Sequence, residues 1–169
     1  ISLLFVMIVP AYAQTESNSV VINEIEINPT GNDSVTALEW IELYNPTGDD
    51  IDLSGWQIAS TTVLKKTMTI PDGTIIQPGE FLFFNYQPLW FTDSNDSVEL
   101  KNDNGIVIDK TPTLPDILNN SMSWQRLFDG YDSDSSDDWK FVISSPKSSN
   151  GIIVETIESI DTIVTVSSD

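Results

Sequence analysis

From Val21 onward the chain alternates apolar and polar positions with a period near two, the spacing of strands. Val21, Ile25 and Ile27 alternate with Ile22, Glu24 and Glu26 until Asn28-Pro29-Thr30-Gly31, where proline and glycine end pairing. That pattern predicts a first strand. Leu38 to Tyr44 follows, with Ile41 and Leu43 on one face and Trp40 and Tyr44 on the other. Apolar groups on both faces predict a central strand whose second face is also covered. Asn45-Pro46-Thr47-Gly48-Asp49-Asp50 reads as a turn, because proline fixes φ and glycine accepts a positive one. Ile51 and Leu53 then point inward on a short strand, and Gly55 permits a bend that seats Trp56 in the core.

Further short strands are predicted at Gln57 to Ser60, Lys66 to Ile70, Phe81 to Asn85, Ser97 to Leu100, Ile106 to Asp109, Met122 to Arg126 and Trp139 to Ile143. Turn signals at Pro71-Asp72-Gly73, Pro78-Gly79 and Asn102-Asp103-Asn104-Gly105 separate them. Many short strands at this spacing predict an all-β sandwich or barrel of eight to ten strands.

The two ends read differently from this middle. Ile1 to Pro10 is apolar and leads to Ala11-Tyr12-Ala13 before Gln14, the small-x-small pattern of a signal-peptidase site. Residues 1–13 are therefore expected to be a signal peptide lacking its first residues, and the run is too short to span a membrane. Residues 14–19 form a polar lead, and the domain itself is expected over 20–151. Residues 152–169 mix Thr, Ser, Ile and acids; they read as an extended stalk, with one extra strand as the alternative.

Composition narrows the chemistry. The chain has no cysteine, so stability must come from packing and backbone hydrogen bonds, and thiolate metal sites are excluded. It has no histidine either, which removes the commonest general base, the usual zinc ligand and every imidazole-based nucleophile pair. With 26 acidic against 7 basic side chains the formal net charge is -19, a field that repels phosphate backbones and anionic lipid. Direct nucleic-acid binding is not expected. Export without cysteine suggests a prokaryotic cell surface.

Three groups of side chains carry candidate chemistry. Asp132, Asp134 and Asp138 lie in a loop running from Asp129 to Asp138, where alternate acids place hard oxygens as calcium requires. This loop does not meet the EF-hand template, since Asp137 and Ile143 stand where glycine and the bidentate acid are needed; a solvated turn with Asx caps is the alternative. Glu24, Glu39 and Glu42 could supply the paired carboxylates of glycoside hydrolysis, with burial raising Glu42 between Trp40 and Tyr44. Strands place many carboxylates near each other, however, and catalysis is not expected of them. Tyr86, Trp90 and Phe91 are candidates for stacking on sugars or for a protein contact if exposed; buried, they plug one end of the sandwich.

The order of several fragments resembles a known family. Val21-Ile22-Asn23-Glu24-Ile25, Glu39 to Pro46, Leu53-Ser54-Gly55-Trp56, Ile70-Pro71 and Pro78-Gly79-Glu80-Phe81 occur as in the lamin tail domain, followed by Ser123-Trp124-Gln125-Arg126, Asp129-Gly130 and Asp138-Trp139. The resemblance spans roughly Val20 to Gly151 and implies an immunoglobulin-like β-sandwich with no catalytic residues. Animal members follow a coiled coil and bind chromatin and proteins; prokaryotic relatives are typically exported, alone or appended to nucleases and other hydrolases. The expectation is a non-enzymatic exported module that binds a surface protein or polysaccharide, in adhesion or tethering. A carbohydrate-binding module using Trp90 or its neighbours, or the accessory domain of a longer secreted hydrolase, are the alternatives.

Overall fold

A computed structural model describes residues 17–32, 35–62 and 64–150. The expected signal peptide and the expected stalk lie outside these described residues.

Eleven strands follow in chain order: β1 (Val21–Glu26), β2 (Trp40–Tyr44), β3 (Ile51–Asp52), β4 (Gln57–Ser60), β5 (Thr67–Thr69), β6 (Ile75–Ile76), β7 (Phe81–Asn85), β8 (Val98–Lys101), β9 (Val107–Lys110), β10 (Met122–Arg126) and β11 (Trp139–Ile143). They form a five-stranded sheet in the order β11-β10-β1-β2-β7, a four-stranded sheet β5-β4-β8-β9 and a small pair β3-β6. Every strand pairing is antiparallel. Ten of the strands coincide with runs of alternating or β-branched residues. The eleventh, β6, holds only two residues and pairs Ile76 with Ile51.

The core lies between the two larger sheets. Ile22, Ile25, Ile41 and Leu43 come from the first, and Ile58, Val98 and Leu100 from the second, all buried and joined by Leu53, Ile70, Ile76 and Leu114. Each such side chain contributes roughly 1.5–3 kcal/mol on leaving water. Gly55 takes a φ of 74°, and Trp56 packs half-buried against this core. Asn45 is buried and holds the turn after β2: its amide donates to the carbonyls of Asp49 (2.8 Å) and Ile76 (3.1 Å), and its Oδ1 accepts from Thr47 N and Oγ1.

One facing differs from the period-two expectation. The β1–β2 register runs Ile22 with Leu43 and then Glu24 with Glu42, so Asn23 is an extra residue, a β-bulge. Ile22 and Ile25 therefore both face the core although three positions apart, and Val21 falls beside Tyr44 on the outer side. A bulge puts two residues opposite one and breaks the alternation locally. The architecture is all-β and antiparallel, an immunoglobulin-like β-sandwich.

Candidate functional site

The outer face of the five-stranded sheet carries acids that strands this central rarely bury. Glu24 and Glu42 are cross-strand partners, and both are fully buried. They are covered by segment 144–150, which leaves β11 and crosses the sheet. Ser145 N (2.8 Å) and Oγ (3.2 Å) donate to Glu24, which also accepts from Ser123 Oγ (2.5 Å) and Gln125 Nε2 (3.0 Å). Lys147 N donates to Glu42, and the Lys147 ammonium lies over the Phe83 ring at 5.4 Å. Asn150 closes the segment, donating to Asn23 O (2.8 Å) and to Asp129 (2.9 Å).

Burial pushes both carboxyls above their ordinary range. Glu24 is raised by desolvation, opposed by its hydroxyl and backbone donors. Glu42 is pushed up to about 7 by desolvation, with the charges of Glu24 and Asp129 adding and the Lys147 N–H opposing. Their bonding partners belong to the scaffold, so the pair serves to dock segment 144–150. Glu39, the third acid of the set, is separate: its Oε2 accepts from Phe91 N at 2.8 Å and fixes the loop after β7.

That loop settles where the candidate aromatic residues lie. Trp90 and Phe91 are 0 % and 1 % exposed and stack with ring centroids 4.6 Å apart, with Tyr86 edge-on to Trp90 at 5.5 Å. Tyr86 packs partly buried against the core. Of the two readings of these rings, burial of Trp90 and Phe91 fits the one in which they plug the end of the sandwich, while Tyr86 stays partly exposed.

Asp132 and Asp138 stand beside Arg126, while Asp134 lies at the surface. Arg126 projects from β10 between the sheets, fully buried, and forms a two-pronged pair with Asp109 of β9 (2.9 and 3.0 Å). It also donates to Ile22 O (2.8 Å), Tyr131 O (2.9 Å) and Asp132 Oδ1 (2.9 Å), and its guanidinium lies 4.9 Å over the Trp139 ring. Asp138 stands 3.8 Å from the same guanidinium and accepts from Ser133 and Ser135, closing a capped 3-10 turn at Ser136–Asp138. Asp134, with a φ of 57°, lines a surface cavity of about 230 Å³ with Lys110, Thr111, Asp132 and Trp139. The geometry weighs against this calcium set, because an internal cation already neutralises two of its three carboxylates. Among the described residues no three His, Cys, Asp or Glu side chains are grouped to hold a metal ion.

Sequence reasoning missed Arg126, Asp109 and Asp116. Arg126 carried a signal: it alternates with Trp124 along a strand, the inward position, in a chain with seven basic residues. Asp116 lies between β9 and β10, buried beside Glu26 of β1. Desolvation raises Glu26 to about 8, with the Asp116 charge adding, and desolvation raises Asp116 as well. Over this spot Ile117 is 75 % exposed, and Ile143 at the end of β11 is 77 % exposed.

Residues 13–113 match the family model of the Lamin Tail Domain. No curated protein matches the chain. The matched region contains β1 to β9, and β10 and β11 complete the same five-stranded sheet. On that match the chain belongs to the lamin tail domain family, whose members are immunoglobulin-like, non-catalytic domains.

Proposed function

We propose that this chain is a non-enzymatic binding module, exported and acting at the cell surface, where it adheres to or tethers a protein partner. The observation that carries this reading is the exposed apolar group at one end of the sandwich. Ile117 and Leu118 on the β9–β10 connection and Ile143 at the end of the edge strand β11 leave large apolar side chains in water, and exposed apolar side chains next to a sheet edge mark protein contacts. The buried acids support it from the other side, since their partners are structural. Export rests on the apolar run before Ala13, and the high negative charge suits a soluble surface protein.

The test is retention of the purified chain on cell-envelope preparations from its host. Ile117→Ser with Ile143→Ser is expected to lower retention at least fivefold while leaving the melting temperature within a few degrees. Retention unchanged by the double substitution would overturn this reading. Binding that is instead competed away by soluble glycans would support the carbohydrate alternative.

A further inference from the structure

We propose that Glu26 and Asp116 form a site for a hard divalent cation, calcium by its ligand chemistry. Glu26 lies on β1 opposite Trp40, and Asp116 lies on the β9–β10 connection. Each is 2 % exposed, and their carboxyls stand within hydrogen-bonding reach of each other. Glu26 Oε1 accepts a long bond from Asn28 N (3.3 Å), and Asp116 Oδ1 accepts from Leu118 N (3.0 Å). Asp116 Oδ2 is buried and has no hydrogen-bond donor among the described residues. Two buried carboxylates face each other as acceptors, and neither donates unless protonated. Something electropositive must stand between them, a proton or a metal ion.

The surroundings favour an ion that brings more than one positive charge. The charges acting on the pair come from Glu24 on the same strand and Asp93 on the neighbouring loop, both acidic. The contrast with the Asp132 to Asp138 loop is direct, because there Arg126 supplies the positive charge from within. Neutral oxygens are close by: Asn28 Oδ1 accepts from Asn119 Nδ2 (3.2 Å), and the Asn28 amide donates to Asp116 O (3.2 Å). Asp116 N bonds Asp93 O at 2.7 Å, which holds the connection in place. Two carboxylates completed by amide and carbonyl oxygens and water are the ligand set of calcium; zinc prefers nitrogen and sulfur. Exposed Ile117 and Leu118 directly follow Asp116, so the pair lies under the surface of the β9–β10 connection.

The cation must displace the proton shared by the pair, so binding strengthens as pH rises. With Glu26 at about 8, release of one proton makes the apparent affinity at pH 8.5 roughly a hundredfold tighter than at pH 6. Terbium titration of the whole chain, excited through tryptophan, reads the site because Trp40 is the cross-strand neighbour of Glu26. The expected result is sensitised emission that calcium competes away, with a calcium-dependent rise in melting temperature at pH 8.5 that shrinks at pH 6. Both signals should vanish in Glu26→Gln and in Asp116→Asn and persist in Asp134→Asn. Glu26→Gln mimics the protonated acid and should fold, as circular dichroism would verify. Absence of both signals in the folded chain at pH 8.5, or their survival in both substitutions, would overturn the site and leave the pair holding a proton only.

Discussion

Arg126 offers one buried guanidinium to four neighbours, the carbonyls of Ile22 and Tyr131 and the carboxylates of Asp109 and Asp132. Asp109 in turn accepts from Ile22 N at 2.6 Å, so this cluster ties the bulge of β1 to the opposite sheet. Desolvation raises the Asp109 carboxyl, and the Arg126 charge opposes that rise. Removing the cation strands a buried charge, which costs more than the pair itself contributes. Arg126→Met is expected to lower the free energy of unfolding by about 3–5 kcal/mol, read from the midpoint of urea denaturation. A loss under 1 kcal/mol would show that the cluster does not brace the sheets. The acids of the β2 motif show what sequence could and could not tell. That Glu42 would be partly buried among aromatics was legible from alternation; its partner Lys147, 105 positions away, was not.

Among elements, segment 144–150 was the least legible, because Ser144-Ser145-Pro146-Lys147-Ser148-Ser149-Asn150 has no apolar period to report its docking. Its bonds are made by backbone N–H groups and short polar side chains, and neither leaves an apolar period in the sequence. Lys147 sits at a φ of 64° and gives its N–H to Glu42. Proline there would remove the donor and forbid that φ, whereas glycine keeps the donor and tolerates the angle. Lys147→Pro is expected to speed hydrogen exchange at the Ser145 amide at least tenfold, and Lys147→Gly to leave it within about threefold; equal rates in the two variants would refute the docking. Strands long enough to alternate were legible, and so was the two-residue β3 through Ile51 and Leu53; β6 was not, since Ile75-Ile76 is an adjacent pair with no alternation. The facing of β1 was misread for a physical reason: Asn23 makes a bulge by bonding Asp129 and Gly130, more than a hundred residues away.

At the scale of the whole molecule the buried acids act in one direction. Glu24, Glu26, Glu42 and Asp116 are all raised by desolvation in the folded chain. A group whose folded pKa is raised stabilises fully below its unfolded pKa and loses that contribution as pH rises through the folded value. The window runs from the ordinary 4.5 of Glu42 and Glu26 to about 7 and about 8. Thermal melts without divalent cations are therefore expected to give a higher melting temperature at pH 5 than at pH 9. Glu42→Gln, which mimics the protonated acid, should flatten the slope between pH 5 and 7. A melting temperature that climbs across this range would contradict the burial. The overall charge of -19 acts in the same sense, because self-repulsion eases as carboxylates gain protons.

The anchoring of Asn150 has a mechanical consequence. A load applied to the residues beyond it reaches Asn150 before any strand, and there it meets bonds to Asn23 O and Asp129 and the Lys140 ammonium on its carbonyl. Next in line stand the donors of Lys147 and Ser145 on their two glutamates. These contacts lie one after another along the segment, so they yield in turn, like the teeth of a zip, before the ladders of β1, β2 and β10 beneath are pulled apart. A tether attached through this end would lengthen by several residues and dissipate a tug before the sandwich itself felt it.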